Sequence, residues 1–297
     1  MGRNAGASNS TGNSNFASGF FTGAALTTGS NNTFIGCYAG RYNTSGSNNI
    51  IIGLRGGYRT TLGGNNIFLG CYAGACNTVG SHNFMAGACA GRNGTTGTHN
   101  VFIGLRSGCS NTSGSCNIFI GCYSGSTTTT AVNQIVLGTG ATASSATADN
   151  EITLGNSSIT TIRAQVTSIT SLSDQRDKSN IETLGVGLDF LRQVRPVTFT
   201  WNMRDGGKIG QKETGFIAQE LQQVLNSSSI REWLSDLVIS NQDNSRLEAA
   251  PGKLLPLVIR AIQELAVEND NLNSKLADTV ATVEQLQQKI ELLKKST

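Results

Sequence analysis

The first 172 residues of this 297-residue chain carry very little charge. They contain no lysine and no proline, and Asp149 and Glu151 are their only acidic residues, against seven arginines. The arginines are spread along the sequence, which is not typical of a nucleic-acid-binding surface. Glycan hydrolysis uses a pair of carboxyl groups, and only Asp149 and Glu151 could supply one. We therefore expect no nucleic-acid partner, and we regard a glycan-cleaving enzyme as a weak hypothesis.

Other functional groups are scarce as well. The two histidines, His82 and His99, both lie in the first half, so a histidine-based triad is not available to the second half. No apolar run reaches the roughly 18 residues of a membrane helix, and the start has no signal-like apolar segment. These absences predict assembly in a cytoplasm without membrane insertion.

The cysteines favour packing over chemistry. All seven lie between Cys37 and Cys122, and an odd number in a protein expected in a cytoplasm favours free thiols. Cysteines at the same place in repeats two steps apart would stand about 10 Å from each other at strand spacing, too far to share one ion. We predict no metal site and no cofactor.

Glycine is abundant and periodic, with 36 residues in the chain. A step of 17 residues relates the members of several rows between about residues 12 and 155. One glycine row and one asparagine row run as follows: Gly19, Gly36, Gly53, Gly70, Gly87, Gly104, Gly121, Gly138 and Gly155, and Asn15, Asn32, Asn49, Asn66, Asn83, Asn100 and Asn117. Such a period predicts a solenoid, in which each unit buries its apolar side against the next. The N-terminal half is thus predicted to be mainly β, a β-solenoid or β-roll at 12–155 after a short segment at 1–11.

Each repeat resembles GSNNIIIGLRGG, residues 46–57, whose apolar piece between glycines is too short for a helix. Because side chains alternate along a strand, Ile50 and Ile52 share one face, and we predict that this face is the core. We also predict that the following apolar column is buried. It consists of Cys37, Leu54, Cys71, Ala88, Leu105 and Cys122.

The neighbouring column is predicted to point outward. It contains Tyr38, Arg55, Tyr72, Arg106 and Tyr123, interrupted by Cys89. Tyrosine and arginine are enriched in recognition surfaces, so these five residues are receptor-binding candidates, with a polysaccharide as one possible ligand. The alternative is a ladder that only stabilises the coil or packs against a neighbouring chain.

The repeats resemble the head repeats of trimeric autotransporter adhesins and repeats in phage tail fibres, through their asparagine, apolar strand and glycine pattern over about residues 12–155. The resemblance implies a β-roll whose chains associate as trimers.

The composition changes at the end of the solenoid. Residues 156–172 are a Ser/Thr-rich neck, and residues 173–297 hold 15 basic and 17 acidic residues, typical of an α+β domain. In that domain a helix is predicted before Pro196 and a strand after it, then a strand and helix in TGFIAQELQQVL. From about 254 to 297, apolar residues at heptad spacing predict a coiled coil that needs partner helices. Its a positions are Ile262, Asn269, Leu276, Val283 and Ile290, and its d positions are Leu265, Leu272, Thr279, Leu286 and Leu293.

Ser173 lies where the composition changes, five residues before the first lysine, Lys178. It could be a simple helix cap, although Arg176 stands where a capping box needs Glu or Gln. It could also be a nucleophile activated by Lys178. On one helix the two side chains would diverge by about 140°, so they can meet only if Ser173 lies outside the helix.

The second half resembles the intramolecular chaperone of endosialidase-type phage tailspikes and tail fibres, which also occurs in the myelin regulatory factor. The resemblance rests on SDQRDKSNI at 173–181, on the Leu191, Pro196, Phe199 and Trp201 pattern, on GFIAQE at 215–220, and on LLPLVIRAIQEL at 254–265. One departure is APGK before the last motif, which lacks an expected aromatic residue.

This resemblance implies a self-cleaving serine peptidase that acts once, on its own chain. Ser173 would attack the carbonyl group of Leu172, and Lys178, once desolvated in an assembled trimer, would accept the hydroxyl proton. Asp174, Arg176 and Asn180 match the motif and would orient the turn or stabilise the oxyanion.

Two functions remain open at this stage. The first is a viral tail fibre or spike tip, located in the virion, that assembles as a homotrimer in the host cytoplasm, contacts other tail proteins and binds a host surface receptor. The second is a cellular trimeric adhesin or regulatory protein that uses the same chaperone.

Overall fold

The computed structural model describes residues 2–165, 169–204, 206, 208–240 and 246–295. The chain divides into two compact units, Met1–Arg163 and Ala164–Thr297. Part of the predicted neck, residues 166–168, and the last two residues of the predicted coiled coil lie outside the described residues.

The first unit is a β-solenoid, as the 17-residue period predicts. Each coil contributes one strand of three residues, and consecutive strands pair in parallel with a register of one repeat. The strands are β1 (Phe16–Ser18), β2 (Thr33–Ile35), β3 (Ile50–Ile52), β4 (Ile67–Leu69), β5 (Phe84–Ala86), β6 (Val101–Ile103), β7 (Ile118–Ile120), β8 (Ile135–Leu137) and β9 (Ile152–Leu154).

The centre of the solenoid core is formed by the middle residues of strands β2–β8. Ile51, Phe68 and Phe102 are fully buried, and the Phe102 and Phe119 rings stack with centroids 4.9 Å apart. The prediction that Ile50 and Ile52 form the core is therefore wrong. They are 40% and 39% exposed and point away from the coil interior.

The error concerns which face is inside, not the alternation itself. In the coil that contains β3, Asn49 and Ile51 point to one side and Ile50 and Ile52 to the other. Residue polarity alone predicts that the side with the asparagine faces water. Instead the asparagine row is buried from Asn32 to Asn117. Buried amides are tolerated when their hydrogen bonds are made, and here each coil supplies partners for the next.

The asparagine ladder has a regular geometry. The Asn66 side-chain nitrogen donates to Asn49 Oδ1 at 3.1 Å and to the Gly80 carbonyl oxygen at 2.9 Å, and the Asn66 backbone N–H donates to Asn49 Oδ1 at 3.0 Å. Asn83 repeats these contacts one coil further on. These hydrogen bonds link successive coils along the solenoid axis.

We predict that Asn83→Ala destabilises the solenoid by about 2–4 kcal/mol, because it leaves the backbone N–H of Asn100 and the carbonyl of Gly97 buried without their partners. Asn93→Ala is the matched control, since Asn93 is exposed. Denaturant unfolding of both variants measures the difference. Equal stability of the two would contradict the structural role of the ladder.

The predicted burial of the Cys37 column is also wrong. Leu54 and Leu105 are 44% and 45% exposed, and Cys71 is exposed. This column lies in a turn rather than in a second strand, between Gly53 at φ 139° and Arg55 at φ 52°. Because the backbone turns there, two successive side chains both point outward. All seven cysteines are free thiols, as expected.

The second unit combines short helices, small sheets and one long helix. α1 (Leu188–Leu191) precedes Pro196 and is followed by β10 (Val197–Thr200), which pairs antiparallel with β11 (Lys212–Gly215) before α2 (Ala218–Ser227). These elements confirm the predicted order around Pro196 and in TGFIAQELQQVL. β12 (Val238–Ser240) and β13 (Leu247–Ala249) form a second antiparallel pair.

The helix α3 (Leu255–Lys295) ends the described chain and confirms the predicted long C-terminal helix. Its first turns pack into the unit, where Leu257 and Ala261 are buried with Phe190 and Leu221. Glu264 Oε2 accepts a hydrogen bond from the Leu188 backbone N–H at 2.7 Å, which joins α3 to α1. Beyond that point the predicted seam is open to water.

Candidate functional site

The site at residues 172–180 is built on a single turn of 3₁₀ helix, Gln175–Asp177. Asp174 is its N-cap and accepts the Arg176 backbone N–H at 2.9 Å. Ser173 therefore lies outside the turn and is not the cap, which removes the structural alternative for this serine. Lys178 follows the turn in extended backbone, with φ −126° and ψ 145°.

This geometry brings the Ser173 and Lys178 side chains together. Lys178 Nζ donates to Ser173 Oγ at 2.6 Å and to the Ser173 carbonyl oxygen at 3.3 Å. The tight turn between the two residues reverses the chain, so the long lysine side chain reaches back over it. A serine hydroxyl in direct contact with an amine is the arrangement that nucleophilic catalysis by a Ser-Lys pair requires.

The pair and the peptide bond beside it are open to solvent within a single chain. Every residue from 169 to 183 is exposed, and the Leu172 side chain is 96% exposed. The Leu172–Ser173 bond is thus accessible to attack. An exposed lysine amine is strongly hydrated, so dehydration of this pair needs additional covering surface.

Asp174 and Arg176 form an ion pair that holds the turn. Arg176 Nε donates to the two Asp174 carboxylate oxygens at 3.1 and 3.2 Å, and Arg176 Nη2 donates to Asp174 Oδ2 at 2.6 Å. The hydrogen bonds from Arg176 lower the pKa of Asp174 below its ordinary value. Asn180 adopts a left-handed backbone conformation, with φ 53°, where asparagine is favoured among non-glycine residues.

The receptor-binding candidates form one ridge along the solenoid. Tyr38, Arg55, Tyr72, Arg106 and Tyr123 share a left-handed backbone conformation, with φ between 52° and 60°. Arg55 Nη1 donates to the Tyr72 hydroxyl at 3.0 Å, and the Arg55 guanidinium lies 5.7 Å from the Tyr38 and Tyr72 ring centroids. Arg106 lies 5.6 Å from the Tyr123 ring centroid. The structure thus places these five residues in one column, as two contacting groups separated by Cys89: Tyr38, Arg55 and Tyr72, and Arg106 with Tyr123.

A second aromatic cluster beside this ridge escaped the sequence analysis. The Arg41 guanidinium lies between 4.9 and 5.1 Å from the ring centroids of Phe21, Tyr38 and Tyr42. It also donates to the Tyr58 hydroxyl at 3.4 Å. The five residues come from three columns of the repeat: Phe21 with Tyr38, Arg41 with Tyr58, and Tyr42 alone. Comparing equivalent positions only within a column could not reveal the cluster.

Asp149 and Glu151 accept hydrogen bonds that hold the last coil of the solenoid. Asp149 Oδ1 accepts the Val132 backbone N–H at 2.7 Å, and Glu151 accepts hydrogen bonds from Ser144 and Thr153. Among the described residues, no group of three or more potential ligands is placed to hold a metal ion. No helix in the described part of the chain is long and apolar enough to cross a membrane.

Comparison with known proteins finds one relationship. Residues 173–229 match the family model described as the chaperone of endosialidase. Neither the curated proteins nor the solved structures give a match. The matched region begins at Ser173 and includes Lys178, but it ends before the LLPLVIRAIQEL segment.

The match supports part of the resemblance seen in the sequence. It identifies residues 173–229 as similar to a chaperone that assists trimerisation and folding, in a family of self-cleaving peptidase type. It does not extend to the solenoid.

Proposed function

We propose that residues 173–295 assemble three copies of this chain and that the chain then cuts itself between Leu172 and Ser173. The observation that carries this proposal is the 2.6 Å contact between Lys178 Nζ and Ser173 Oγ. The contact lies beside an exposed Leu172 peptide, at the first residue of the matched region.

The chemistry follows from the two side chains. The neutral Lys178 amine takes the Ser173 hydroxyl proton while Oγ attacks the Leu172 carbonyl carbon. The bond to the Ser173 nitrogen breaks, and that nitrogen receives a proton, so the Leu172 acyl group moves from nitrogen to oxygen. Water then hydrolyses the ester, which leaves a carboxylate on Leu172 and a free amino group on Ser173.

Assembly supplies the dehydration that the single chain lacks. Packing of neighbouring chains over the exposed pair favours the neutral amine, because burial disfavours a charged lysine. The proposed cut is therefore linked to successful trimerisation.

The long helix gives the assembly its starting point. In a trimeric β-structure, surfaces on different chains must meet before they are covered, and apolar strands stay exposed until then, which makes its nucleation slow. Three α3 helices in register hold the chains together during this step. Cleavage then removes the folding aid and leaves the solenoid kinetically stable.

The purified full chain tests the proposal directly. Intact-mass measurement and N-terminal sequencing are expected to find fragments 1–172 and 173–297, the second beginning with Ser173. A trimeric and folded protein that stays whole through prolonged incubation contradicts self-cleavage.

We further propose that the solenoid is a fibre or spike tip of a phage tail, assembled in the host cytoplasm and then carried in the virion with other tail proteins. An elongated repeat joined to a removable trimerisation aid suits a fibre that must survive outside the cell. The exposed Tyr/Arg ladder suits a repetitive anionic or polyhydroxylated ligand such as a surface polysaccharide, with each contact multiplied by trimer avidity.

We predict that Arg55→Ala combined with Arg106→Ala weakens polysaccharide binding at least several-fold. Both side chains are exposed, so the solenoid should stay folded. Binding to an array of bacterial surface polysaccharides measures the effect, and thermal unfolding by circular dichroism checks the fold. Unchanged binding by the folded variant would make the ladder a stabilising feature and direct attention to Arg41, Arg59 and Arg92.

A further inference from the structure

One face of the solenoid is apolar along its whole length, and in the single chain its residues are half-buried or exposed. The face consists of the first and third residues of each strand β1–β9, and is called the strand face below. All its positions except Thr33 and Ser18 are apolar, and none is charged. Ile50, Ile52, Ile118 and Ile120 are between 36% and 40% exposed.

The size of the strand face is that of an interaction surface. Nine parallel strands at about 4.8 Å spacing extend for about 38 Å, and the two outward residues of a strand stand about 7 Å apart. With the width of the side chains the face covers on the order of 400 Å², comparable to the largest apolar patch of a typical monomer, which is often functional. The adjoining turn column, with Leu54 and Leu105 about half exposed, widens it further.

We infer that the strand face is the interface at which the solenoids of three copies of this chain pack together. The inference deepens the proposed function and rests on the trimer proposed there.

The repeat itself favours another copy as the partner. The strand face presents ridges at the constant spacing of parallel strands, and a second solenoid of the same rise matches them at every coil. Around a symmetry axis identical residues approach one another, so a charged column would repel itself, whereas an uncharged apolar face packs against its own copies.

The second unit also has an exposed apolar surface that needs a partner. The seam of α3 is a second exposed apolar surface, with Leu272 59% and Leu286 53% exposed. Both surfaces are covered if the same copies associate along the whole chain. The Tyr/Arg ladder, which follows the strand face in each coil, then lies at the polar rim of the interface and stays accessible.

Side-chain oxidation of the assembled protein tests the interface. The full chain carrying Ser173→Ala is kept whole, its mass is measured by sedimentation, and it is exposed briefly to hydroxyl radicals before residue-level mass spectrometry. Ile50, Ile52, Ile118 and Ile120 are expected to react several-fold more slowly than Leu62 and Val79. These controls are aliphatic, 59% and 44% exposed, and lie outside the strand face.

The outcomes separate this inference from the proposed assembly. A trimer in which the four isoleucines react as fast as the controls overturns the inference and leaves the proposed trimer standing. If the protein is a monomer, both the inference and the proposed trimer are wrong. If the strand face is protected in that monomer, another part of the same chain covers it.

A pair of matched double variants gives a second measurement. Ile52→Asp with Ile120→Asp is expected to lower the melting temperature of the trimer and to restore oxidation of Ile50 and Ile118. Leu62→Asp with Val79→Asp is expected to behave as the parent. Equal melting temperatures for both variants, with Ile50 and Ile118 still protected, also overturn the inference.

Discussion

Replacing Ser173 with alanine leaves the chain whole, because no hydroxyl oxygen remains to attack the Leu172 carbonyl. Replacing Lys178 with alanine slows cleavage by about 10²–10⁴-fold, the usual contribution of a general base. Lys178→Arg is also expected to lose most of its cleavage rate, since a guanidinium stays protonated and cannot accept the hydroxyl proton. Intact-mass time courses on the purified proteins measure each rate.

The neighbouring residue Ser171 provides the control for this series. Ser171→Ala changes a hydroxyl two residues away, in the same exposed segment, and is expected to cut at the parent rate. Correct assembly of each variant is checked by sedimentation, so that a loss of cleavage reports chemistry rather than misfolding. Cleavage of Ser173→Ala at the parent rate would exclude Ser173 as the nucleophile.

Placing charge in the α3 seam is expected to abolish both trimers and cleavage. Leu272→Asp combined with Leu286→Asp puts two carboxylates from each chain into an apolar interface, where each unpaired charge costs several kcal/mol. Without assembly the Ser173–Lys178 pair stays in water and Lys178 stays hydrated. Sedimentation and intact mass, measured on the same sample, follow the two effects.

The helix offers a close control. Val267→Asp with Leu292→Asp introduces the same charges at aliphatic positions that are 62% and 68% exposed and that lie off the predicted seam. This variant is expected to remain trimeric and to cut normally. If the seam variant is a demonstrated monomer and still cuts efficiently, the pair is complete within one chain and the assembly-first account is wrong.

The elements with strong local signals were predictable from the sequence. The 17-residue step fixed the number and parallel register of the strands, because a solenoid stacks equivalent positions of successive coils. The heptad pattern predicted one long C-terminal helix, which is α3. The approach of Ser173 to Lys178 was conditional on Ser173 lying outside a helix, and the 3₁₀ turn meets that condition.

Which side of each strand is buried was decided only by the tertiary structure. Side-chain alternation puts Asn49 and Ile51 on one face of the strand and Ile50 and Ile52 on the other. Hydrophobicity alone predicts that the second face is buried, whereas the structure buries the first. Asn49 can be buried because Asn32 and Gly63, in the coils on either side, receive its hydrogen bonds once the coils stack.

Other differences between the sequence-based predictions and the structure arise from backbone geometry in the folded chain. Turn geometry, not residue type, placed Leu54 at the surface, and Asp174 rather than Ser173 caps the first turn of the second unit. Arg41 meets the rings of Phe21, Tyr38 and Tyr42 because three neighbouring columns of the repeat lie close together in the turn that follows each strand. The repeat period and the local propensity can be predicted from the sequence, whereas burial depends on contacts that form only when the chain folds and its coils stack.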